Sequence, residues 1–247
     1  MSFSAEKIKK YMKNPIPVRV YDSVDSTNNE AKRRAACDGG VRLYAASHQT
    51  AGRGRRGRSF YSPADTGLYM TLALPIDREL SELQPVTCAA GAAVCEAIED
   101  LTGRAAGIKW VNDIMLDGKK VAGILAELIG SDIGETAVII GVGINLTTES
   151  FPAEFAERAG SIGEVEPELL CAAVADRLIG YCGASGYNSV MEKYRSRSLC
   201  LGRTVSFIRD GKKITASAVG IDSSGGLTVE NEAGRFTLNS GEISIIM

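Results

Sequence analysis

Histidine is the scarcest of the residues that commonly carry chemistry, with one copy, His48, in 247 residues. A Ser-His-Asp triad or a Cys-His pair would have to use this single residue. Metal sites that need two or more histidines are excluded. The scarcity of histidine therefore limits the possible chemistry severely.

Long apolar runs are also missing. No stretch approaches the roughly 18 uninterrupted apolar residues that a membrane span needs, and the N-terminal stretch MSFSAEKIKK lacks the apolar segment of a signal peptide. We therefore expect a cytoplasmic protein without a membrane partner. The net charge of -2 gives no general attraction to nucleic acid, so any anion site has to be local.

The 6 cysteines form no C-x-x-C pair and have no regular spacing. This pattern gives neither a disulfide framework nor a zinc site, so we expect buried free thiols and no metal held by the protein. The composition is otherwise ordinary, with 45% hydrophobic and 23% charged residues, as is typical of a folded globular protein.

The apolar pattern predicts an α+β fold with a mixed sheet. Thr27 followed by Glu30 fits a capping box, which predicts a helix that begins near Thr27. Asp117-Gly118 predicts a hairpin. The run 137–144 is either central in the sheet or an edge that pairs with a second copy. Strands are predicted over 18–21, 41–47, 68–74, 108–116, 121–128 and 137–144, and helices over 83–101 (beginning near Pro85), 167–181 and 187–197.

The character of the chain changes beyond Arg203. Short β-rich runs follow one another, separated by Asp-Gly, Gly-Gly and Ala-Gly pairs. This pattern predicts a small β-barrel of roughly 45 residues. We therefore expect two domains, 1–198 and 199–247, with strands of the second over 204–208, 214–221, 227–229, 235–238 and 243–246.

Residues 52–58, GRGRRGR, place four arginines among three glycines between two predicted strands. Like charges repel and glycine is conformationally free, and ordering each residue costs about 1–2 kcal/mol. Charge-assisted hydrogen bonds to an anion return roughly 1.5–3 kcal/mol each. We predict a loop that is mobile until an anionic ligand orders it. A nucleic-acid contact, a localisation-like patch and a surface turn remain alternatives, whereas a Walker A pattern is absent.

Five sequence blocks follow one another in order. They are DSTN (25–28), QTAG (49–52) running into the Arg/Gly loop, KWVND (109–113), KVAGILAE (120–127) and GVGIN (141–145). Together they resemble the catalytic domain of biotin protein ligases, over roughly 18–145. The resemblance implies a mixed-sheet domain packed with helices, of the class II synthetase-like or biotin ligase fold, followed by an SH3-like β-barrel. It implies an enzyme that forms biotinyl-5′-AMP from biotin and ATP and then biotinylates one lysine of a biotin carboxyl carrier protein.

The resemblance also implies the site residues. Lys109 and Arg53 would be catalytic. Some of the site residues also have an alternative role outside ligand binding. Residues 26–28 could cap the helix, Asn112 and Asp113 could be turn residues, and Lys109 and Lys120 could be surface lysines. Biotin would contact Ser26, Thr27, Asn28, Gln49, Gly52, Arg53, Gly54, Arg55, Lys109 and Gly123, and ATP would contact Arg55, Arg56, Arg58, Phe60, Asn112, Lys120 and Asn145.

Two positions depart from the family pattern. Val111 stands where members commonly carry proline, and Phe60 stands where they carry tryptophan. Phe60 keeps an apolar ring that would still cover a ligand.

The implied chemistry suits a chain with little histidine. The biotin carboxylate is already ionised at neutral pH, so adenylation needs no general base. The obstacle is the repulsion between the biotin carboxylate and the α-phosphate of ATP. Two unit charges at ~4 Å repel by about 4 kcal/mol at an effective dielectric of ~20. A lysine and several arginines would relieve this repulsion. Mg²⁺ is expected to arrive with ATP and to be held mainly by phosphates. The residues do not identify the base that deprotonates the acceptor lysine.

Three rival interpretations remain open. A lipoate or octanoate ligase has a related fold and also joins a cofactor acid to lysine. A biotin-sensing DNA-binding repressor would need a helix-turn-helix module, and the few residues before the first predicted strand are too short for one. We therefore expect a monofunctional ligase without specific DNA binding. A third class is a module that binds partners through the β-barrel. A homodimer is a further expectation.

Overall fold

Two β-sheets organise the chain, and the helices pack around the first. The structure is a computed structural model that describes residues 3–76, 83–130, 136–182 and 187–246. Within these ranges no helix is long and apolar enough to span a membrane.

The first sheet has seven strands, which confirms the predicted mixed sheet. They are β1 (Val18–Tyr21), β2 (Arg42–Ala46), β3 (Gly67–Ile76), β4 (Gly107–Lys109), β5 (Asp113–Leu116), β6 (Lys119–Gly130) and β7 (Thr136–Asn145). Their order is β1-β2-β3-β7-β6-β5-β4. β1 and β2 are parallel, and the remaining neighbours are antiparallel.

β7 lies at the centre of this sheet. It is hydrogen-bonded to β3 on one side and to β6 on the other along its length. The prediction of a central strand is confirmed. The alternative, an edge that pairs with a second copy, is wrong because neither edge of β7 is free.

The predicted single strand over 108–116 is wrong, because the chain reverses at residues 110–112. The backbone N–H of Trp110 donates to Cys200 Sγ at 3.3 Å, and Val111 O accepts from the Tyr194 hydroxyl at 3.0 Å. These backbone groups therefore bond outside a ladder, and β4 pairs with β5 as a short hairpin. The indole nitrogen of Trp110 donates to Gly225 O at 2.9 Å. The next predicted hairpin, at Asp117-Gly118, is confirmed by φ values of 50° and 76°.

In the described ranges of the first unit, the α-helices are α1 (Ala5–Tyr11), α2 (Thr27–Asp38), α3 (Leu83–Thr102), α4 (Pro167–Cys182) and α5 (Tyr187–Ser196). α3 packs on α4, α5 and the sheet, with a buried stripe of small residues that includes Ala90 and Ala93. Pro85 lies in its first turn, as predicted.

The predicted capping box at the start of α2 is wrong. Ser26, not Thr27, is the N-cap residue, and its side chain makes no cap hydrogen bond. The Glu30 carboxylate bonds to Arg33 and Arg34 instead of reaching back along the backbone. Capping by these side chains therefore does not explain the polar residues at this helix start.

The second sheet is small and wholly antiparallel. It contains β8 (Thr204–Arg209), β9 (Lys212–Ile221), β10 (Leu227–Asn231), β11 (Gly234–Leu238) and β12 (Ser244–Ile245), in the order β11-β10-β9-β8-β12. This agrees with the predicted small β unit of SH3-like type. Within the described ranges, however, β11 and β12 are edge strands that do not pair with each other, so hydrogen bonds do not close the barrel.

Side chains of the first unit bind the backbone of the second. Gly225 O accepts from Trp110 at 2.9 Å and from Gln84 at 2.7 Å. Arg58 forms an ion pair with Glu242 at 2.7 Å. The Arg/Gly loop is thus in direct contact with the segment just before β12.

Candidate active site

A cavity of about 410 Å³, here called the inner pocket, opens where α2, the loop 49–60, β6 and β7 meet. Strand β1 leads into a turn and then α2, so the first residues of the helix face the middle of the central strands, where Asn28 meets Thr71 and Glu127. The inner pocket is lined by Ser26, Thr27, Asn28, Gln49, Arg53, Gly54, Phe60, Asn112, Gly123, Ile124, Leu125, Gly141, Val142 and Gly143.

A second cavity of about 490 Å³, here called the outer pocket, adjoins the first. It is mainly aromatic and basic. Phe60 is a member of both linings, so its ring lies between the two spaces. The outer pocket is lined by Ser59, Phe60, Tyr61, Lys120, Asn145, Phe151, Phe155, Arg158 and Ala159.

The polar wall of the inner pocket is held by hydrogen bonds between side chains. Gln49 Oε1 accepts from the Thr27 backbone N–H at 2.9 Å, and Gln49 Nε2 donates to Ser62 Oγ at 2.9 Å. Thr71 Oγ1 lies 2.8 Å from Thr27 Oγ1 and 2.7 Å from Asn28 Oδ1. These bonds fix the direction in which each amide and hydroxyl presents donors or acceptors to the cavity.

Ser26 also belongs to this wall. It is 2% exposed and lines the inner pocket. It is the N-cap residue of α2, but its side chain makes no cap hydrogen bond. A hydroxyl that is not used in capping can donate to or accept from a polar ligand.

Glycines on β7 make room for the site. A Cβ atom added at Gly143 would lie 2.5 Å from the Phe60 ring, and one at Gly141 would overlap the Asn28 side chain. Gly52 is similar, since a Cβ there would overlap Phe60 O. The glycines of the GVGIN block therefore allow Phe60 and Asn28 to lie against the sheet.

An ionic cluster borders the inner pocket. Glu127 Oε1 lies 2.6 Å from Lys32 Nζ and 3.6 Å from an Arg53 nitrogen, and Arg53 donates to Asn29 at 2.8 Å. Burial raises the pKa of Glu127, but the hydrogen bonds from Lys32 and Asn28 outweigh burial and lower it overall. Glu127 is therefore a carboxylate at neutral pH.

The Arg/Gly loop has a defined conformation with a short 3₁₀ turn, Arg55–Gly57. Phe60 N donates to Gly52 O at 2.9 Å, which closes the loop at its base. Arg55 donates to Asn112 Oδ1 at 3.1 Å, and burial lowers the pKa of its guanidinium. These contacts describe one conformation of the loop. The predicted mobility of the loop before an anionic ligand binds stays a prediction.

In the outer pocket, charge and aromatic surface lie side by side. Lys120 pairs with Asp113 at 2.5 Å. Asn145 is buried, and its amide donates to Gly160 O at 2.9 Å, which leaves its carbonyl oxygen to another partner. Tyr61 and Phe151 meet edge to face.

The structure brings most of the expected site residues together. Of the expected biotin contacts, the inner pocket includes Ser26, Thr27, Asn28, Gln49, Arg53, Gly54 and Gly123. Of the expected ATP contacts, Phe60, Lys120 and Asn145 line the outer pocket, while Asn112 and Phe60 line the inner one. The expected residues outside both linings are Gly52, Arg55, Arg56, Arg58 and Lys109.

Lys109 needs separate mention because it was expected to be catalytic. It ends β4, is partly buried and pairs in the ladder with Asp113. Within the described ranges its ammonium group has no hydrogen-bond or ion-pair partner. Its role therefore remains a prediction.

Several site residues were not expected from the sequence. Glu127, Gly141 and Gly143 belong to the sequence blocks of the family resemblance, but no role was predicted for them. Thr71 and the aromatic residues of 151–155 lie outside every block. Their approach to the site depends on sheet register and on the chain after β7, which single-residue patterns do not reveal.

Comparisons with known proteins agree with this architecture. The sequence model of the biotin/lipoate A/B protein ligase family matches residues 20–145, and that of the biotin protein ligase C terminal domain matches residues 200–245. The bifunctional ligase/repressor BirA of Bacillus spizizenii is 32% identical over 236 residues, which covers 92% of this chain and 72% of that protein. The biotin--[acetyl-CoA-carboxylase] ligase of Paracoccus denitrificans is 33% identical over 233 residues, covering 89% and 96%.

Among solved structures, the biotin protein ligase from Aquifex aeolicus in complex with biotin and ATP superimposes with a TM-score of 0.77. It is 28% identical, and the match covers 93% of this chain and 98% of that one. Sequence and fold thus point to one class of enzyme, the ligases. The chain belongs to the biotin/lipoate A/B protein ligase family, and within it to the biotin protein ligases rather than the lipoate or octanoate ligases.

Proposed function

We propose that the inner pocket binds biotin, the outer pocket binds the adenosine of ATP, and the protein joins the two as biotinyl-5′-AMP. Biotin is then transferred to one lysine of a biotin carboxyl carrier protein. The observation that carries this proposal is the position of Phe60, whose single ring borders a polar cavity on one side and an aromatic, basic cavity on the other.

The inner pocket suits biotin in its chemistry. The hydroxyl of Ser26 and the side chains of Thr27, Asn28 and Gln49 match a neutral polar ring. Ile124, Leu125 and Val142 provide apolar surface for an aliphatic tail.

The outer pocket suits a nucleotide. Phe60, Phe151 and Phe155 offer ring faces and edges to a flat heteroaromatic base. Asn145 offers a hydrogen-bonding group at the buried end, and Lys120 offers a positive charge near the phosphates.

Neutralising charge is the main task of the remaining residues. The biotin carboxylate and the α-phosphate repel each other, so a guanidinium and an ammonium beside them lower the barrier. Arg53 and Lys109 are the proposed catalytic residues, and Arg55, Arg56 and Arg58 would bind phosphates. Gly52, Gly54 and Gly123 would let the backbone approach the ligands closely.

Mg²⁺ would enter with ATP and stabilise the leaving pyrophosphate. Asp113 is a carboxylate that pairs with Lys120, and Lys120 lines the outer pocket. One such ligand fits a Mg²⁺ ion that keeps phosphate oxygens and waters as most of its ligands.

The two-domain division at 198/199 and the carrier partner are part of the same proposal. The Arg58–Glu242 pair brings the second unit next to the loop, so a carrier that approaches the inner pocket would pass both. Self-association also remains a prediction, to be measured by light scattering.

The decisive experiment mixes the purified protein with biotin, Mg-ATP and a carrier domain and weighs the products. The expected result is one added biotinyl group on the carrier. Without the carrier, release of pyrophosphate should depend on biotin and not on lipoate or octanoate. Acylation by lipoate in preference to biotin would overturn the proposal.

A further inference from the structure

One wall of the inner pocket is a continuous chain of hydrogen bonds that ends on a carboxylate. Thr71 lies behind Thr27 and Asn28, within hydrogen-bond distance of both. Asn28 Nδ2 lies 2.9 Å from Glu127 Oε2. Thr27 is 3% exposed, Asn28 4% and Thr71 0%, so water does not compete for these bonds.

The carboxylate sets the direction of the bonds that link Glu127, Asn28 and Thr71. Because Glu127 only accepts, Asn28 must turn its NH₂ group toward it and its Oδ1 toward Thr71. The Thr71 hydroxyl then donates its one proton to Asn28. The Thr27 hydroxyl lies 2.8 Å from Thr71 Oγ1 and 3.2 Å from Gln49 Oε1, so one of these two oxygens of the wall accepts its proton.

This direction decides what the wall offers to a ligand. The Thr27 proton is held inside the wall, so its oxygen presents only lone pairs to the cavity. Asn28 Oδ1 likewise has a second lone pair that Thr71 does not use. A cyclic urea such as the head of biotin carries two N–H donors, which need acceptors of this kind.

We propose that Glu127 is a positioning residue for biotin, which acts through Asn28 and Thr71 to make this wall an acceptor for the ureido N–H groups. The inference rests on the proposed function and assigns part of its specificity to a residue that does not line the pocket. It also gives a role to the ionic cluster around Glu127.

The cations beside Glu127 make a sharp test available. Lys32 and Arg53 both face Oε1, at 2.6 and 3.6 Å. In Glu127→Gln, these cations would attract the amide oxygen, so the new NH₂ group would face Asn28. Asn28 would then turn around, and its NH₂ group would replace its Oδ1 acceptor in the wall, while the Thr27 proton would go to Gln49 Oε1.

The experiment is a calorimetric measurement of biotin binding to the wild type and to Glu127→Gln. The variant is expected to bind biotin about 10- to 100-fold more weakly, since a buried ligand donor loses its acceptor. The KM for ATP should stay near its wild-type value. The matched control is Glu96→Gln, because Glu96 is 17% exposed in its side chain, pairs with Lys193 at 2.8 Å and lines neither pocket.

Biotin analogues methylated at one ureido nitrogen distinguish the loss of one hydrogen-bond acceptor from a general structural defect of the pocket. The analogue that lacks the N–H facing this wall should bind wild type and Glu127→Gln with similar affinity. Equal loss of biotin and of both analogues in Glu127→Gln would indicate a structural defect and overturn the inference, as would unchanged biotin affinity.

Thr71 provides a second route if Glu127→Gln fails to fold. Thr71→Val removes the relay hydroxyl and should weaken biotin binding to a similar extent, whereas Thr71→Ser keeps the hydroxyl and should restore it. Combining Thr71→Val with Glu127→Gln should add little further loss, because both act through one chain. Tight biotin binding by Thr71→Val would contradict the proposal. A wild type that fails to form the adenylate would instead refute the proposed function.

Discussion

At the scale of single residues, Lys109 is the sharpest test of the proposed chemistry. Its ammonium group has no partner in the described ranges, so its charge is available to a ligand. Lys109→Ala is expected to reduce adenylate formation by about 100-fold or more, the loss typical of removing one charge-stabilising group. Biotin-dependent pyrophosphate release measures this. Lys119→Ala, an exposed lysine in the neighbouring hairpin, is the control, and near-normal adenylation by Lys109→Ala would remove it from the mechanism.

Gly143 tests the partition between the pockets. In Gly143→Ala, the methyl group would meet the Phe60 ring at 2.5 Å and push it from its place. Because that ring borders both pockets, the KM values for biotin and ATP should both rise, by about tenfold or more. Gly180→Ala is the matched control, since a Cβ atom there meets nothing within 4 Å. A change confined to one substrate would argue against a shared wall.

At the scale of elements, the Arg/Gly loop is expected to be the part that responds to ligands. Its ion pair with Glu242 joins side chains that are 68% and 43% exposed, and such surface pairs contribute only about 0–1 kcal/mol. The loop should therefore open readily, and trypsin should cleave it several times more slowly when biotin and Mg-ATP are both bound. Cleavage after Arg235, on the exposed strand β11, should not change. Equal loop cleavage with and without ligands would contradict the prediction.

Local patterns predicted most elements, and the misses have physical causes. The Asp117-Gly118 and Asp210-Gly211 turns follow from the positive φ that such pairs tolerate. Helix α1 was not predicted, because it is short and Ile8 is its one fully buried residue. The reversal at 110–112 depends on partners more than 80 residues away in sequence, at Tyr194 and Gly225. No periodicity encodes such partners.

In the site, too, local sequence patterns predicted some residues, and contacts between distant parts of the chain determine the others. The polar residues at the start of α2 and Gln49 were found because they stand in recognisable blocks. Glu127 received no role because its importance comes from contacts with Asn28 and Lys32, which lie on a different element. Thr71 is an ordinary strand residue until the register of β3 brings its hydroxyl against α2.

At the scale of the whole molecule, the contact between the two units combines a shared apolar core with hydrogen bonds to backbone carbonyls. Trp110→Phe keeps most of the buried ring but removes the donor to Gly225 O. The free energy of unfolding is expected to fall by about 0.5–1.5 kcal/mol, because Gln84 still donates to that oxygen. Urea unfolding followed by circular dichroism measures this loss, with Trp110→Leu as a variant that also loses packing. An unchanged transition would show that the bond contributes nothing.

Trp110 is also the only tryptophan in the sequence, and it is 3% exposed at the junction of the two sheets. Its intrinsic fluorescence consequently reports on one place alone. Native protein should emit in the blue, as expected for an indole shielded from water, and the emission should shift to the red once the C-terminal unit detaches. The fluorescence of Trp110 can therefore be used to measure separation of the two units without a dye or an added label.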